Sequence, residues 1–343
     1  MARQSDNRFR PGWTASVPDH VVALAWSPDG NFLAVAAVSG PVAVFFDDGK
    51  PFHQLAGHSF GTAAVAWHPS GAFLATAGQD GKVRLWDAAV GVEVHALDAG
   101  AEWVEKLAWH PSEPLLAAAA GKTARVWDLG GNLLFTTPPQ AGTVTDIGWR
   151  PGTTQLAVLG YGAANVYDVA AGGAVAHVFA WKGSPLALAW SPDGKVLAHG
   201  NQDATVHFWY ADSGRDLQMW GYPSKVRELA WDPTGRFLAT GGGPLVCVWD
   251  CGGPKGPEGS KPQMLEGPED MVTAVAYQQR GYLVAATARD GRVVLWQPAN
   301  KKAPKVGEYR FKDIEATALA WSPDDKLLAV GGGDGTVAVL RVG

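Results

Sequence analysis

At 343 residues the chain has room for two or three ordinary domains or for one large repeat architecture, so length alone does not choose. Hydrophobic residues make up 47% and charged residues 18%, with 43 Gly, 23 Pro and 16 Trp; this describes a turn-rich globular chain and excludes disorder for its bulk. A balance of 28 basic against 33 acidic residues, a formal charge of −5, offers no electrostatic footprint for a polyphosphate backbone, which argues against nucleic acid. The opening residues, MARQSDNRFRPGW, carry charges and a proline where a secretory signal needs an apolar stretch. With no run of about 18 apolar residues, a soluble cytoplasmic protein free of the membrane is expected.

In chain order, a short tail over 1–9 precedes residues 10–17, RPGWTASV, which have strand composition. A phrase then begins that returns through the chain: VVALAWSPDGNFLAV around Trp26, AAVAWHPSGAFLAT at Trp67, EKLAWHPSEPLLAA at Trp109 and TDIGWRPGTTQLAV at Trp149. It continues as LALAWSPDGKVLAH at Trp190, RELAWDPTGRFLAT at Trp231, TAVAYQQRGYLVAA at Tyr277 and TALAWSPDDKLLAV at Trp321. The spacings are 41, 42, 40, 41, 41, 46 and 44 residues. A second signal follows in each copy, with its aromatic slot at Phe46, Trp86, Trp127, Tyr167, Trp209, Trp249 and Trp296, and Leu340 in the last.

Each unit reads as an alternating apolar run, a Pro/Gly turn such as Ser27-Pro28-Asp29-Gly30, a Leu/Ala-rich run, a tight turn such as Asp80-Gly81, and a third alternating run. A weaker fourth run, such as PFHQLAG or VEVHALD, follows most units. Four short antiparallel strands in about 42 residues is the arithmetic of a propeller blade, and the 3.6-residue period of a helical solenoid is absent. The fold class expected is therefore all-β: one eight-bladed propeller over 1–343. The chain stops after the eighth third-strand run, so the strand at 10–17 is expected to complete the last blade and remove its open edge.

These residues resemble the WD-repeat (WD40) propeller family over nearly the whole chain. The resemblance rests on Trp86-Asp87, Trp127-Asp128 and Trp249-Asp250, and on Asp80-Gly81, Asp290-Gly291 and Asp334-Gly335, at fixed offsets. It implies that a blade can be locked by a buried chain of His, Ser or Thr, Asp and Trp, and one unit has all four: His58, Thr76, Asp80 and Trp86. Pro268 replaces His in the seventh unit and His199 replaces Ser/Thr in the fifth. The third, fourth and sixth units have shortened turns, so these blades are expected to rely on apolar packing.

No nucleophile elbow, zinc-protease, phosphate-loop or dinucleotide motif occurs, so no catalytic residue is expected. Cys247 and Cys251 cannot form a disulfide framework or a four-ligand zinc site. The nine histidines are scattered: His68 and His110 share a turn position in adjacent units, and His199 and His207 flank the turn at Asp203. Packing explains them better than a metal, and no cofactor is expected. Residues 251–261 and 300–305 read as solvated loops.

The resemblance implies a partner face formed by the connections into each inner strand and by the turns between second and third strands. Mapping that face, on which Phe60 also falls, selects Trp103, Glu105, Tyr161, Trp181, Lys182, Tyr222, Lys225, Arg227, Met271 and Arg289. Trp103, Tyr161, Trp181 and Tyr222 belong to neighbouring units, and an aromatic arc beside Lys182, Lys225 and Arg227 has the composition of interface anchors. The leading expectation is a non-enzymatic scaffold for a protein or peptide, acting as a monomeric ring or as a subunit of a larger complex. The alternative is a propeller that binds a small ligand or metal ion through its channel or its histidines.

Overall fold

The computed structural model describes residues 7–101, 103–253 and 255–343; most of the expected tail lies outside this range. It contains eight four-stranded antiparallel sheets, each a blade, arranged in a ring as an eight-bladed β-propeller. In the first blade the inner strand is Val21–Trp26, followed outward by Phe32–Ala37, Val42–Phe46 and Pro51–Leu55. In the first, second and seventh blades the middle of the inner strand is only half-buried because it faces the channel, whereas its two ends are buried.

Second strands read as continuous apolar runs rather than alternating ones, because both of their faces are covered. Leu33, Val35 and Ala37 pack toward Ala329 and Val339 of the eighth blade, while Ala34 and Ala36 pack toward Trp67 and Leu74 of the second. The core is therefore not one mass but a set of layers between blades, and the small Ala side chains let neighbouring sheets approach closely.

Ring closure uses both termini. The strand Phe9–Ser16, displaced by one residue from the expected 10–17, pairs antiparallel with Thr336–Val342 and becomes the outer strand of the eighth blade. A bulge between Pro11 and Trp13 is made possible by Gly12, where a Cβ would strike the Val339 carbonyl. Trp13 then reaches the first blade, donating its indole N–H to Asp47 O at 2.7 Å.

A second device links blade to blade. At the end of seven of the eight inner strands, an indole N–H donates to a backbone carbonyl of the preceding blade: Trp26 to Ala320, Trp67 to Ala25, Trp109 to Ala66 and Trp149 to Ala108, all within 3.1 Å. Trp190, Trp231 and Trp321 continue it onto Gly148, Ala189 and Ala276. Among the described residues, only the junction between the sixth and seventh blades lacks the bond. There Tyr277 takes the Trp position, and its hydroxyl is buried without a hydrogen-bond partner.

Candidate functional site

In antiparallel blades the start of the inner strand and the turn between second and third strands lie on one face. Four residues before the buried residue that leads into or opens the inner strand (Thr62, Val144, Pro185 and Val226), the second, fourth, fifth and sixth blades place His58, Gln140, Trp181 and Tyr222. These side chains decide what is left for a partner.

In the second blade, Trp86 Nε1 donates to Thr76 Oγ1 at 3.0 Å. An indole can only donate, so the Thr76 hydroxyl donates in turn to His58 Nε2 at 2.9 Å, and the proton on Nδ1 goes to Asp80 Oδ1 at 2.8 Å. Burial lowers the His58 pKa despite Asp80, so the ring is neutral, as this chain requires. Burial raises the Asp80 carboxyl, but His58 and Arg84 outweigh it and hold the net value below the usual range.

The fifth and sixth blades, expected to rely on apolar packing, have polar chains of their own. In the sixth, Trp249 Nε1 donates to the Tyr222 hydroxyl at 2.8 Å, which lies 2.9 Å from Thr240 Oγ1, itself 3.3 Å from Cys247 O. In the fifth, Trp209 Nε1 donates to His199 Nε2 at 3.0 Å, so Nδ1 donates to Asn201 Oδ1; Asn201 then reaches Thr205, and Thr205 reaches Asp203. Each of these donor sequences starts at the third-strand Trp. In the fourth blade Gln140 bonds both Tyr167 and Asn165.

Tyr222 therefore does not present its ring to a partner: it is buried and serves as the sixth blade's lock. Trp181 occupies the same register position in the fifth blade and is half-buried, its ring 3.7 Å from that of His207. Trp103 and Tyr161 remain open to solvent, each 56% exposed, and Phe60 is 86% exposed. Phe60 and Trp103 both have left-handed backbone, φ 67° and 64°, a conformation that bulky residues rarely adopt. These three aromatics come from the second, third and fourth blades, which are neighbours.

Glu105, Lys182, Arg227 and Arg289 are exposed on the same face, and Lys225 and Met271 are half-buried there. Arg289 is 3.5 Å from Glu315. Toward the channel, Asp146 pairs with Lys106 at 3.5 Å and accepts from Leu188 N at 2.9 Å.

Three of the histidines are committed to packing or to hydrogen bonds within the fold. His199 uses both ring nitrogens within its blade, and His68 and His110 lie edge-on to Trp109 and Trp149. Among the described residues no group of three or more His, Cys, Asp or Glu could hold a metal ion. Burial pushes the Cys247 thiol up to about 11, and burial with the nearby Asp250 pushes Cys251 up to about 12, so neither presents a thiolate. No helix long and apolar enough to cross a membrane occurs among the described residues.

Comparison with known proteins agrees with this architecture. The model of the WD domain, G-beta repeat, matches residues 13–40, 49–87, 91–128, 175–210, 215–250, 259–297 and 311–339. It leaves out most of the fourth blade, where Gln140 and Tyr167 replace the usual lock residues. A probable cytosolic iron-sulfur protein assembly protein 1 of Mycosarcoma maydis is 30% identical over 32% of this chain and 21% of its own length. A transcriptional corepressor of Arabidopsis thaliana, LEUNIG_HOMOLOG, is 23% identical over 63% of the chain and 27% of its own length. The chain thus spans about a quarter or less of these curated relatives. The crystal structure of the computationally designed Ika8 protein superposes with a TM-score of 0.82 at 23% identity, covering 95% of this chain and 98% of that one, a likeness of fold alone. With the repeat model matching well over half of its length, the chain belongs to the WD domain, G-beta repeat family.

Proposed function

We propose that this protein is a non-catalytic scaffold that docks a protein or peptide on the face carrying Phe60, Trp103 and Tyr161, without a cofactor. One observation carries the reading: two large aromatics on adjacent blades, Phe60 and Trp103, are held exposed to solvent on left-handed backbone. Such backbone costs on the order of 1 to 3 kcal/mol per residue, and exposing aromatic rings adds nothing to the fold in return. A docked partner that buries the rings supplies the missing compensation. Rigid aromatics lose little entropy on contact, and the exposed Glu105, Lys182, Arg227 and Arg289, with the half-buried Lys225 and Met271, supply polar and apolar groups on the same face. The relatives' names describe assembly and corepression, tasks carried out with other macromolecules, which supports an interaction role in the cytosol without naming the partner.

The test is affinity purification from the native host, comparing the wild type with a Phe60→Ser, Trp103→Ser, Tyr161→Ser variant of matched thermal stability. A stoichiometric protein retained by the wild type and lost from the variant is the expected result. A partner held equally by both would place the interface elsewhere.

A further inference from the structure

The junction between the sixth and seventh blades differs from the other seven. Its indole-to-carbonyl bond is missing, and a cleft of about 490 Å³ opens on the face opposite the exposed aromatics. Phe237, Val248, Tyr282 and Pro298 form its apolar walls; Tyr277 also lines it, and the Tyr277 hydroxyl is buried without a partner. Residues 255–261 and 300–305, within the long connections that lengthen the repeat here, bring Lys261 and Lys301 to its rim.

Of the two carboxylates of the cleft, Asp250 is paired with a cation, whereas Asp232 is hydrogen-bonded but has no ion pair among the described residues. Arg236 grips Asp250 with two hydrogen bonds of 3.0 and 2.7 Å, and Asp232 accepts from Phe237 N at 2.6 Å and from the Thr234 hydroxyl. Lys261 and Lys301 are both exposed, and neither has an ion pair among the described residues. Arg236, Lys261 and Lys301 outnumber Asp232 and Asp250 among the lining groups, so the net charge of the cleft is positive and is carried by the lysines at the mouth, while the unpartnered donor is a phenol. Burial, then the Asp232 charge, raises the Tyr277 pKa well above the usual tyrosine value, so this phenol keeps its proton to donate.

We propose that this cleft binds a small aromatic carboxylic acid: the ring between Phe237 and Pro298, the carboxylate at Lys261 and Lys301, and a second oxygen accepting from the Tyr277 hydroxyl. The volume falls within the range of small-molecule sites, and an apolar cleft with a few convergent polar groups is the usual composition of such sites. A buried donor with no partner is uncommon in folded proteins, and a ligand acceptor satisfies it.

The probe is 6-hydroxy-2-naphthoate, whose own fluorescence reports binding by anisotropy. It is compared with 6-hydroxy-2-naphthamide, which lacks the charge, and with 2-naphthoate, which lacks the second oxygen. One-to-one saturation at or below about 1 mM is expected for a ligand of this size. The amide should bind at least about tenfold more weakly, and the Lys261→Glu, Lys301→Glu variant should lose the acid to a similar degree. Both lysines are exposed, so that variant folds, and Tyr277→Phe should abolish the preference for 6-hydroxy-2-naphthoate over 2-naphthoate. Trp103→Ser, on the opposite face, should change nothing, which separates this site from the scaffold face. Absence of saturation up to 10 times that concentration, equal binding of acid and amide, or indifference to the lysine variant would each overturn the proposal.

Discussion

The Trp249 indole of the sixth blade donates to the Tyr222 hydroxyl at 2.8 Å, and Tyr222 comes from the loop four residues before Val226, the buried residue that leads into the inner strand. Tyr222 thus takes the place held by His58 in the second blade and passes the bond on to Thr240, as His58 exchanges one with Thr76. Tyr222→Phe keeps the ring and removes the link, leaving the Trp249 N–H buried without an acceptor. The expected cost is about 1 to 3 kcal/mol, with a similar loss for His58→Ala, read as lowered stability in urea titrations. Equal stability of Tyr222→Phe and wild type would show that water satisfies Trp249.

Much of the architecture is legible because it repeats. The inner-strand phrase, the turn after it and the third-strand aromatic are local signals, and eight copies compound them into a ring. The locks in the fourth, fifth and sixth blades are not legible by residue type, since Gln140, Asn201 and Tyr222 are not members of the expected set. Counting four residues back from the apolar residue that leads into the inner strand, Val144 or Val226, would have found Gln140 and Tyr222. An aromatic before a strand is the same letter whether it points inward, as Tyr222 does, or outward, as Trp103 does. The difference lies in backbone torsion, and the positive φ of Phe60 and Trp103 has no signature in composition.

The missing rung between the sixth and seventh blades predicts a stabilising substitution. Tyr277→Trp places an indole where the other seven junctions have one, and its N–H meets the carbonyl of Ala230, the residue equivalent to Ala189 beside Trp231. It also removes a buried hydroxyl that has no partner. A gain of about 1 kcal/mol is expected, or a rise of a few degrees in Tm by calorimetry. The larger ring should also occupy part of the cleft and weaken binding of the naphthoate probe.

His199 predicts how stability follows pH. Burial, reinforced by His207, lowers its pKa to about 3 in the folded chain, whereas the unfolded chain titrates at the ordinary 6.5. As pH falls through 6.5 the unfolded state takes up a proton that the folded state refuses. The stabilisation is full above that value and is lost progressively down to about 3. The slope from this residue is about 1.4 kcal/mol per pH unit between pH 6 and 4. His58 and His207 shift in the same direction and steepen it. In a His199→Ser variant, whose hydroxyl can still accept from Trp209, the slope of unfolding free energy against pH should fall by about one proton; an unchanged slope would remove His199 from the account.

Trp13 holds the closure. Its strand belongs to the eighth blade, yet its indole donates to Asp47 O of the first, its ring centroid is 5.7 Å from that of Phe45, and it lies across Gly49. Gly49 has φ 89°, and a Cβ there would come within 2.7 Å of the indole, so no other residue allows the turn and the ring together. Trp13→Ala removes the bond and the packing at the seam where the chain's ends meet, and should cost about 2 to 4 kcal/mol. Gly49→Ala should cost less, about 1 to 2 kcal/mol, because it strains the turn but leaves the strand pairing of Phe9–Ser16 intact. Trp220→Ala is the control: that ring is 77% exposed, and its loss should change stability by no more than about 0.5 kcal/mol. Hydrogen exchange separates the closure from a general loss of packing. In Trp13→Ala the amides of Thr336–Val342 should exchange faster than those of Lys82–Asp87 in the second blade, because opening begins where the clasp was.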